Sequence, residues 1–204
     1  MLKIYGSPRS SAGRCYLVME EIGLKYETAP LDMGNKEHKS PAFLQLNPNG
    51  KVPCLVDEDF VIWESLAINH YLAERYKPEL LGAGAKEKGL VQQWSVWALA
   101  ELQPPLVDIL IQMMFVPEDR RDQNVIRKAQ EKLPANLKVL DQALSGRTYL
   151  VGSHVTLADL NTASVINIAQ ALKQDIESYQ NIMYWFNRMK ERPSFAKFAD
   201  LRKH

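Results

Sequence analysis

The chain has 204 residues, of which 46% are hydrophobic and 24% are charged, and its formal net charge is +1. This length allows one large domain or two modest ones. The balanced charge excludes a general attraction to nucleic acid or to membranes, and the lack of a signal segment or of an apolar run of about 18 residues predicts a cytoplasmic protein.

The first part of the chain predicts a mixed sheet with helices. An initial strand, helix and strand form a β-α-β unit, which normally places its two strands parallel. Pro53 should stand at the first position of the third strand, because proline cannot donate a ladder hydrogen bond. In chain order the predicted elements are strand 2–5, helix 11–22, strand 25–30, helix 41–46, strands 54–56 and 60–63, and helix 65–76.

The remainder of the chain predicts helices almost without strands. A segment with one proline and two glycines, 78–84, is typical of a linker between a domain at 1–77 and an all-helical domain at 85–204. Pro104 and Pro105 are expected to kink a long first helix, and Pro134 to interrupt an amphipathic one. The predicted helices cover 85–114, 122–144, 156–171, 181–192 and 194–201.

The loop after the first strand reads Ser7-Pro8-Arg9-Ser10. In a thioredoxin-like unit this is the place of a C-P-x-C motif, but a hydroxyl cannot form a mixed disulfide. Disulfide exchange is therefore disfavoured, whereas a serine could donate a hydrogen bond to the sulfur of another molecule. The alternative is structural, with Ser10 or Ser11 as the N-cap of the first helix.

The bond between Val52 and Pro53 is expected to be cis. The N–H and C=O groups of Val52 would then point away from the sheet and could pair with an extended, peptide-like ligand. Ser65, at a helix N-terminus, is either a carboxylate site or a plain N-cap. Glu64 is expected in a buried position, where it would need a cationic partner such as a ligand ammonium.

Three basic residues could receive a second carboxylate, although a solvated polar loop is the alternative. They are His38, Lys39 and Lys51. The two cysteines, Cys15 and Cys54, lack C-x-x-C spacing and ligand-spaced histidines, so neither a metal site nor a disulfide is predicted. We interpret both as small buried hydrophobic residues.

Three motifs occur in one order along the chain: N-P-x-G-x-V-P before the third strand, E-S-x-A-I at Glu64, and T-L-A-D at Thr156. With these motifs, nearly the whole chain resembles the cytosolic glutathione transferases. The resemblance implies a thioredoxin-like α/β N-terminal domain of order βαβαββα, followed by an all-α domain. It also implies that T-L-A-D is a helix-capping box, a structural element.

The resemblance assigns parts of glutathione to these residues. It assigns the γ-glutamyl end to Glu64 and Ser65. It assigns the cysteinyl backbone to Val52, beside a cis Pro53. The glycyl carboxylate falls near His38, Lys39 and Lys51.

The loop Y-G-S-P-R-S-S-A-G-R resembles the serine-dependent classes, theta and phi, here expected as a bacterial-type member. In these classes a hydroxyl at the position of Ser10 donates to the glutathione thiolate, and an arginine near Arg14 follows. Ser11 is the close rival of Ser10. Tyr5 comes too early to be a catalytic tyrosine, and the cysteine of the beta and omega classes is absent because Cys15 lies inside the helix.

The implied function is conjugation of glutathione, as co-substrate and without a metal, to small electrophiles in detoxification, with peroxidase activity as a second expectation. The electrophile site and the contacts of a homodimer are expected in the helical domain. One alternative is a maleylacetoacetate isomerase-like enzyme, because R-S-S resembles the zeta-class run R-S-S-C-x-W-R. Here Ala12 replaces the cysteine, the tryptophan is missing and the arginine comes one residue early. The other alternative is a non-catalytic binding protein.

Overall fold

The computed structural model describes residues 1–203. The chain forms two compact units, one of Met1–Leu81 together with residues 190–203 and one of Gly82–Met189. All strands of the described part lie in the first unit. Within the same residues, no helix is both long and apolar enough to span a membrane.

The helices and strands are numbered here in chain order. The first unit begins with β1 (Leu2–Tyr5), α1 (Gly13–Ile22), β2 (Tyr26–Ala29), α2 (Pro41–Leu46), β3 (Cys54–Asp57), β4 (Phe60–Trp63) and α3 (Ser65–Tyr76). Short 3-10 turns occur at Glu37–Lys39 and Pro78–Leu81. The helices that follow are α4 (Gly84–Trp97), α5 (Gln103–Met114), α6 (Gln123–Leu144), α7 (Leu157–Ala171), α8 (Gln180–Lys190) and α9 (Pro193–Leu201).

The four strands form one sheet in the order β2-β1-β3-β4. β1 pairs parallel with β2, as the β-α-β pattern predicts, and antiparallel with β3, which pairs antiparallel with β4. With the helices that follow it, this sheet confirms the predicted fold class, a thioredoxin-like α/β domain and then a helical one. Pro53 directly precedes β3 rather than opening it.

α1 is the central helix of the first unit, since α3 and α9 both pack against it. Every residue from Gly13 to Met19 is therefore buried, including the charged Arg14. Leu17, Val18 and Met19 have no exposed surface, and each such apolar side chain contributes roughly 1.5 to 3 kcal/mol of burial free energy.

α1 begins two residues later than predicted, and its N-cap is Ala12, whose methyl group cannot cap. The prediction that Ser10 or Ser11 caps this helix is wrong. The reason is a pair of tight turns, in which the Ser10 N–H donates to Ser7 O at 2.9 Å and the Gly13 N–H donates to Ser10 O at 2.9 Å. A Cβ on Gly13 would lie 2.5 Å from Pro8 O, so the helix starts at a position that suits only glycine.

In the second unit α4 packs on α7 and α5 on α6. Where the sequence predicts a kink, a π-helical segment, Ala98–Leu102, precedes α5, and the two prolines lie in the first turn of α5, where a missing N–H costs little. α6 continues through Pro134 over 22 residues, so the predicted interruption is not observed. The buried stripe of α6 consists of Ala129, Leu133, Leu137, Leu140 and Leu144.

The T-x-x-D motif forms the predicted capping box at the start of α7. The Asp159 carboxylate accepts hydrogen bonds from the Thr156 N–H at 3.0 Å, the Leu150 N–H at 2.9 Å and the Trp185 Nε1–H at 2.9 Å. Burial raises the pKa of Asp159, and these donors oppose the shift. One carboxylate thereby joins the start of α7, the segment before it, and α8.

Candidate functional site

The sheet register brings three segments that are distant in the sequence to one end of the sheet. Tyr5 at the end of β1 pairs with Cys54 at the start of β3, and Cys54 pairs with Trp63 at the end of β4. The loop Gly6–Ala12 follows the first of these residues, Val52–Pro53 precedes the second, and Glu64–Ser65 follows the third. The predicted site residues of these segments therefore extend from one row of the sheet.

The Val52–Pro53 peptide bond is cis, as predicted. Gly6 allows the loop after β1 to approach it closely, because a Cβ on Gly6, whose φ is +117°, would lie 2.9 Å from the Val52 Cβ. The Ser11 hydroxyl donates a hydrogen bond of 2.7 Å to the Val52 carbonyl oxygen. The loop is thus joined directly to the segment predicted to pair with a peptide-like ligand.

The two candidate serines, both exposed, differ in their hydrogen bonds. Ser10 is bonded within its own loop, since its hydroxyl donates to Ser7 O at 2.7 Å and accepts from the Ala12 N–H at 3.2 Å. The Ser11 hydroxyl, in contrast, donates its proton to the Val52 carbonyl oxygen of the neighbouring segment.

Arg14 and Ser65 are in contact inside the first unit. The Arg14 Nη1–H donates to Ser65 Oγ at 2.8 Å. Burial lowers the pKa of Arg14, and the negative charge of Glu64 acts in the opposite direction. Ser65 is the first residue of α3 and Glu64 is its N-cap, so the interpretation of Ser65 as a plain N-cap is wrong.

Glu64 is exposed, which corrects the expectation of a buried carboxylate. Its φ of +71° is in the left-handed region, which is uncommon for a residue with a side chain. This backbone conformation leads the chain from β4 into α3. The Glu64 carboxylate is consequently accessible to a ligand from solvent.

His38 and Lys39 form a 3-10 turn with Glu37 rather than an irregular polar loop. The Lys39 Nζ donates to Asn49 O at 3.0 Å. A Cβ on Gly50 would lie 2.8 Å from His38 O, so these segments are in close contact. Among the described residues, His38 Nδ1 is a buried nitrogen without a hydrogen-bond partner.

Lys51 follows the same turn and is exposed. Its carbonyl oxygen accepts from the Asn47 Nδ2–H at 2.7 Å, and the Asn47 Oδ1 accepts from the Asn49 N–H at 3.0 Å. Asn47 therefore fixes the backbone that carries Lys51 into Val52. The structure brings His38, Lys39 and Lys51 to this turn.

Cys15 and Cys54 are free and buried. Burial raises the pKa of Cys15 to about 12 and that of Cys54 to about 11. Since the thiolate is the reactive form, neither cysteine is a nucleophile at neutral pH. Their interpretation as small hydrophobic residues is confirmed.

Sequence reasoning did not identify two other residues that hold the loop. Tyr16 is buried in α1, and its hydroxyl donates to Gly6 O at 2.8 Å. The Arg9 side chain donates to main-chain carbonyls near the C-terminus. The only sequence signal for the first contact is the glycine itself, and the second joins positions too far apart for any local pattern.

Comparison with known proteins identifies the family. Residues 1–74 match the family model of the glutathione S-transferase N-terminal domain, and residues 102–193 match that of the C-terminal domain. Glutathione S-transferase F9 of Arabidopsis thaliana is 35% identical over 97% of this chain and 95% of its own length. The chain belongs to the glutathione S-transferase family. Glutathione S-transferase 1 of Zea mays is 36% identical, over 99% of this chain and 97% of its own.

Solved glutathione transferases have the same fold. A glutathione S-transferase I bound with lactoylglutathione superposes with a TM-score of 0.90 at 36% identity, covering 98% of this chain and 99% of that one. Glutathione transferase F7 from Populus trichocarpa gives a TM-score of 0.89 at 30% identity, with coverage of 98% and 99%. A transferase from Phanerochaete chrysosporium, solved with oxidized glutathione, gives 0.88 at 27% identity, with coverage of 99% and 95%.

Over residues 1–203, no group of three or more His, Cys, Asp or Glu side chains is arranged to hold a metal ion. The donors at the sheet edge are hydroxyls, main-chain amides and cationic side chains, a set that suits an anionic peptide.

Proposed function

We propose that this protein is a glutathione transferase that conjugates the glutathione thiolate to small electrophiles. The observation that carries the proposal is the single row Tyr5, Cys54 and Trp63, from which the serine loop, the cis-proline segment and the start of α3 extend. Membership of the glutathione S-transferase family supports it.

The γ-glutamyl end of glutathione is assigned to Ser65 and Glu64. A serine hydroxyl has one proton and can accept from other donors. Because Arg14 is the donor in the contact with Ser65, the hydroxyl proton of Ser65 is available to a ligand carboxylate. The exposed Glu64 carboxylate can accept from the ligand ammonium, and the Arg14 charge behind Ser65 attracts the ligand carboxylate.

The rest of glutathione is assigned along the neighbouring segments. The Val52 main chain would pair with the cysteinyl residue by strand-like hydrogen bonds, with Pro53 fixing the direction of the segment. His38, Lys39 and Lys51 would receive the glycyl carboxylate. The buried His38 Nδ1, which lacks a partner in the described part of the chain, supports a polar ligand near this turn.

We assign thiolate stabilisation to Ser10, in a serine-dependent, theta/phi-like class. A free thiol has a pKa of about 8.5 and is mostly protonated at neutral pH. One charge-assisted hydrogen bond of about 1.5 to 3 kcal/mol lowers that pKa by roughly one to two units, and the N-terminus of α1 acts in the same direction. The bacterial type expected from the sequence stays a prediction.

Ser10 is favoured over Ser11 by the cost of releasing its proton. The Ser7 carbonyl, which accepts from the Ser10 hydroxyl, also accepts from the Ser10 N–H and stays satisfied when the hydroxyl turns away. The Ser11 proton instead maintains the contact with Val52. Arg14 would contribute through its charge and through Ser65.

The proposal is tested by retention on immobilised glutathione together with conjugation of a chlorodinitrobenzene-type substrate, followed by a panel of other electrophiles and a peroxide. Retention with conjugation is expected. Retention without conjugation, but with turnover of a cis-dienoic diketo acid at catalytic glutathione, would indicate the isomerase. A protein that neither binds glutathione nor conjugates it would be a non-catalytic relative.

Further proposals concern the roles of the parts of the chain and the oligomeric state. We assign glutathione to 1–77, the electrophile to the helices within 85–189, and 78–84 to the connection. Residues 190–203, which the sequence predicts in the helical domain at 85–204, belong to the first unit instead. We also propose a homodimer, supported by the exposed side chains of Phe60, Val61 and Trp63 on the edge strand β4, because exposed apolar edges favour association. Light scattering of the purified protein tests the dimer. A cytoplasmic location stays a prediction.

A further inference from the structure

We propose that Arg9 and the C-terminal segment, residues 198–203, form a clamp that positions Ser10 for thiolate stabilisation. The clamp rests on the proposed function, and Arg9 is in it a positioning residue. The Arg9 Nε–H donates to Arg202 O at 2.8 Å, and an Nη2–H donates to Lys203 O at 3.3 Å. A forked guanidinium thus holds two successive carbonyls from the far end of the chain.

The acceptors of the clamp are main-chain atoms, so the Lys203 side chain takes no direct part in it. The acceptor segment is itself fixed against the start of α1. A Cβ on Gly13 would lie 3.3 Å from Cζ of the Phe198 ring, so this ring packs directly on the first residue of α1. The Arg202 guanidinium lies 5.6 Å from the centroid of the same ring, within the range of a cation–π contact.

α9 is anchored at its other end as well. Arg192 and Ser194 both donate hydrogen bonds to the buried Glu21 of α1. The helix therefore has a fixed start, and the two residues that follow its end, Arg202 and Lys203, present their carbonyl oxygens to Arg9.

The loop needs such external support because burial does not hold it. Ser7, Arg9, Ser10 and Ser11 are all exposed. A loop that is not held recovers conformational freedom at each of its residues. Two side chains extend from the loop to distant carbonyls, Arg9 to the C-terminal segment and Ser11 to Val52.

Ser10 lies between these two attachments. Because the backbone of Ser10 is held from both sides, only its hydroxyl has to turn from Ser7 O to the thiolate, which is the advantage of a preorganised donor. Loss of the Arg9 attachment should weaken the hydrogen bond to the thiolate and leave the assigned glutathione contacts at Val52 and Ser65 in place. The effect should therefore appear in kcat and in the pKa of bound glutathione, rather than in KM for glutathione.

The experiment compares Arg9→Met, a truncation that removes residues 200–204, and the two combined. Lys203→Ala is the matched control, because it changes the side chain and retains the main-chain acceptor. Hydrogen–deuterium exchange of a peptide spanning residues 6–13 is the first readout, since it needs no activity. The second readout is the dependence of the conjugation rate on pH.

We expect exchange of the 6–13 peptide to accelerate about fivefold to tenfold in Arg9→Met and in the truncation. The combination should exchange no faster than either alone, because both remove one interaction. In the same variants kcat should fall roughly threefold to tenfold and the apparent pKa of bound glutathione rise by about half a unit to one unit, with KM for glutathione within about twofold. Lys203→Ala should resemble the wild type in every readout.

Unchanged exchange in Arg9→Met and in the truncation would overturn the clamp whatever the activity. An altered pH profile in Arg9→Met but not in the truncation would also overturn it, because Arg9 would then act through its own charge. If the wild type neither binds nor conjugates glutathione, the proposed function is wrong, and the exchange data still decide whether the clamp exists.

Discussion

The Arg14 guanidinium donates to the Ser65 hydroxyl at 2.8 Å, and both residues are only 5% exposed. A buried charge is costly unless it is hydrogen-bonded. The contact joins α1 to the first residue of α3, and so couples the stability of the fold to the place assigned to the γ-glutamyl carboxylate.

Replacing Ser65 by alanine should affect both stability and ligand binding. Ser65→Ala removes an acceptor from a buried guanidinium, and we expect a loss of about 1.5 to 3 kcal/mol in the free energy of unfolding, measured with urea. Glutathione affinity, measured by calorimetry, should fall about tenfold. Ser65→Thr retains the hydroxyl and is the control. Equal affinities of Ser65→Ala and the wild type would remove Ser65 from the site.

The alanine variants of Ser10 and Ser11 should differ in how their conjugation rates depend on pH. In Ser10→Ala the apparent pKa of bound glutathione should rise by about one to two units, which slows conjugation roughly tenfold to a hundredfold near pH 6.5. Above that raised pKa the variant and the wild type should converge, because the thiol is then ionised in both. Ser11→Ala should leave the pKa in place and raise KM for glutathione a few-fold, through the lost contact with Val52. The reverse pattern would make Ser11 the donor.

Glu21 should make stability depend on pH in the acid range. Burial alone would raise its pKa, but hydrogen bonds from Arg192 and Ser194 and the charges of Arg192 and Lys77 outweigh burial, and the pKa of Glu21 is lowered. The contribution of Glu21 to the free energy of unfolding is therefore complete above its pKa in the unfolded chain, about 4.3. It is lost as the pH falls through the lower pKa of the folded state.

Glu21→Gln should cost about 2 kcal/mol at pH 7, less than a fully buried ion pair, since the Arg192 side chain is 27% exposed. The difference from the wild type should shrink as the pH falls below about 4. Urea midpoints at pH 7, 5 and 3.5 measure it. Glu27→Gln, which breaks an exposed pair with Lys3, should cost much less than Glu21→Gln at pH 7. A constant difference between Glu21→Gln and the wild type at all three pH values would contradict the assignment.

Asp159 should be structural rather than catalytic. Asp159→Ala removes the acceptor for Thr156, Leu150 and Trp185, and we expect a loss of about 3 kcal/mol or more. Asp159→Asn retains one acceptor oxygen and should lose less. Near-ultraviolet circular dichroism should report a changed environment of Trp185. The rate of Asp159→Ala per folded molecule should equal that of the wild type, and a specific loss of rate in fully folded protein would argue against a structural role.

The stretch Asn47–Ser65 was predictable because its restrictions are local. The cis bond before Pro53, the strand 60–63 and the start of α3 at Ser65 each follow from neighbouring residues. The predicted start of α1 is wrong, because a run of serines that forms turns has the same composition as a helix N-cap. What decided it was the approach of Gly13 to the Pro8 carbonyl, which no periodicity contains.

The site contacts that sequence could not supply join residues far apart in the chain. Arg14 was identified as a candidate, but its contact with Ser65 spans 51 positions, and that of Arg9 with Arg202 spans 193. The sequence also does not predict the exposure of Glu64 or its positive φ, because nothing in the motif E-S-x-A-I signals either.

The sheet register has a practical consequence at the end opposite the site. There Leu2 pairs with Asp57, and Asp57 with Phe60, across a turn at Glu58 and Asp59. This turn is separated from Val52 by the four residues of β3, roughly 10 Å of strand, and carries no residue assigned to glutathione. A fluorophore or a surface tether attached at Glu58 would therefore lie at the end of the sheet opposite the residues assigned to glutathione.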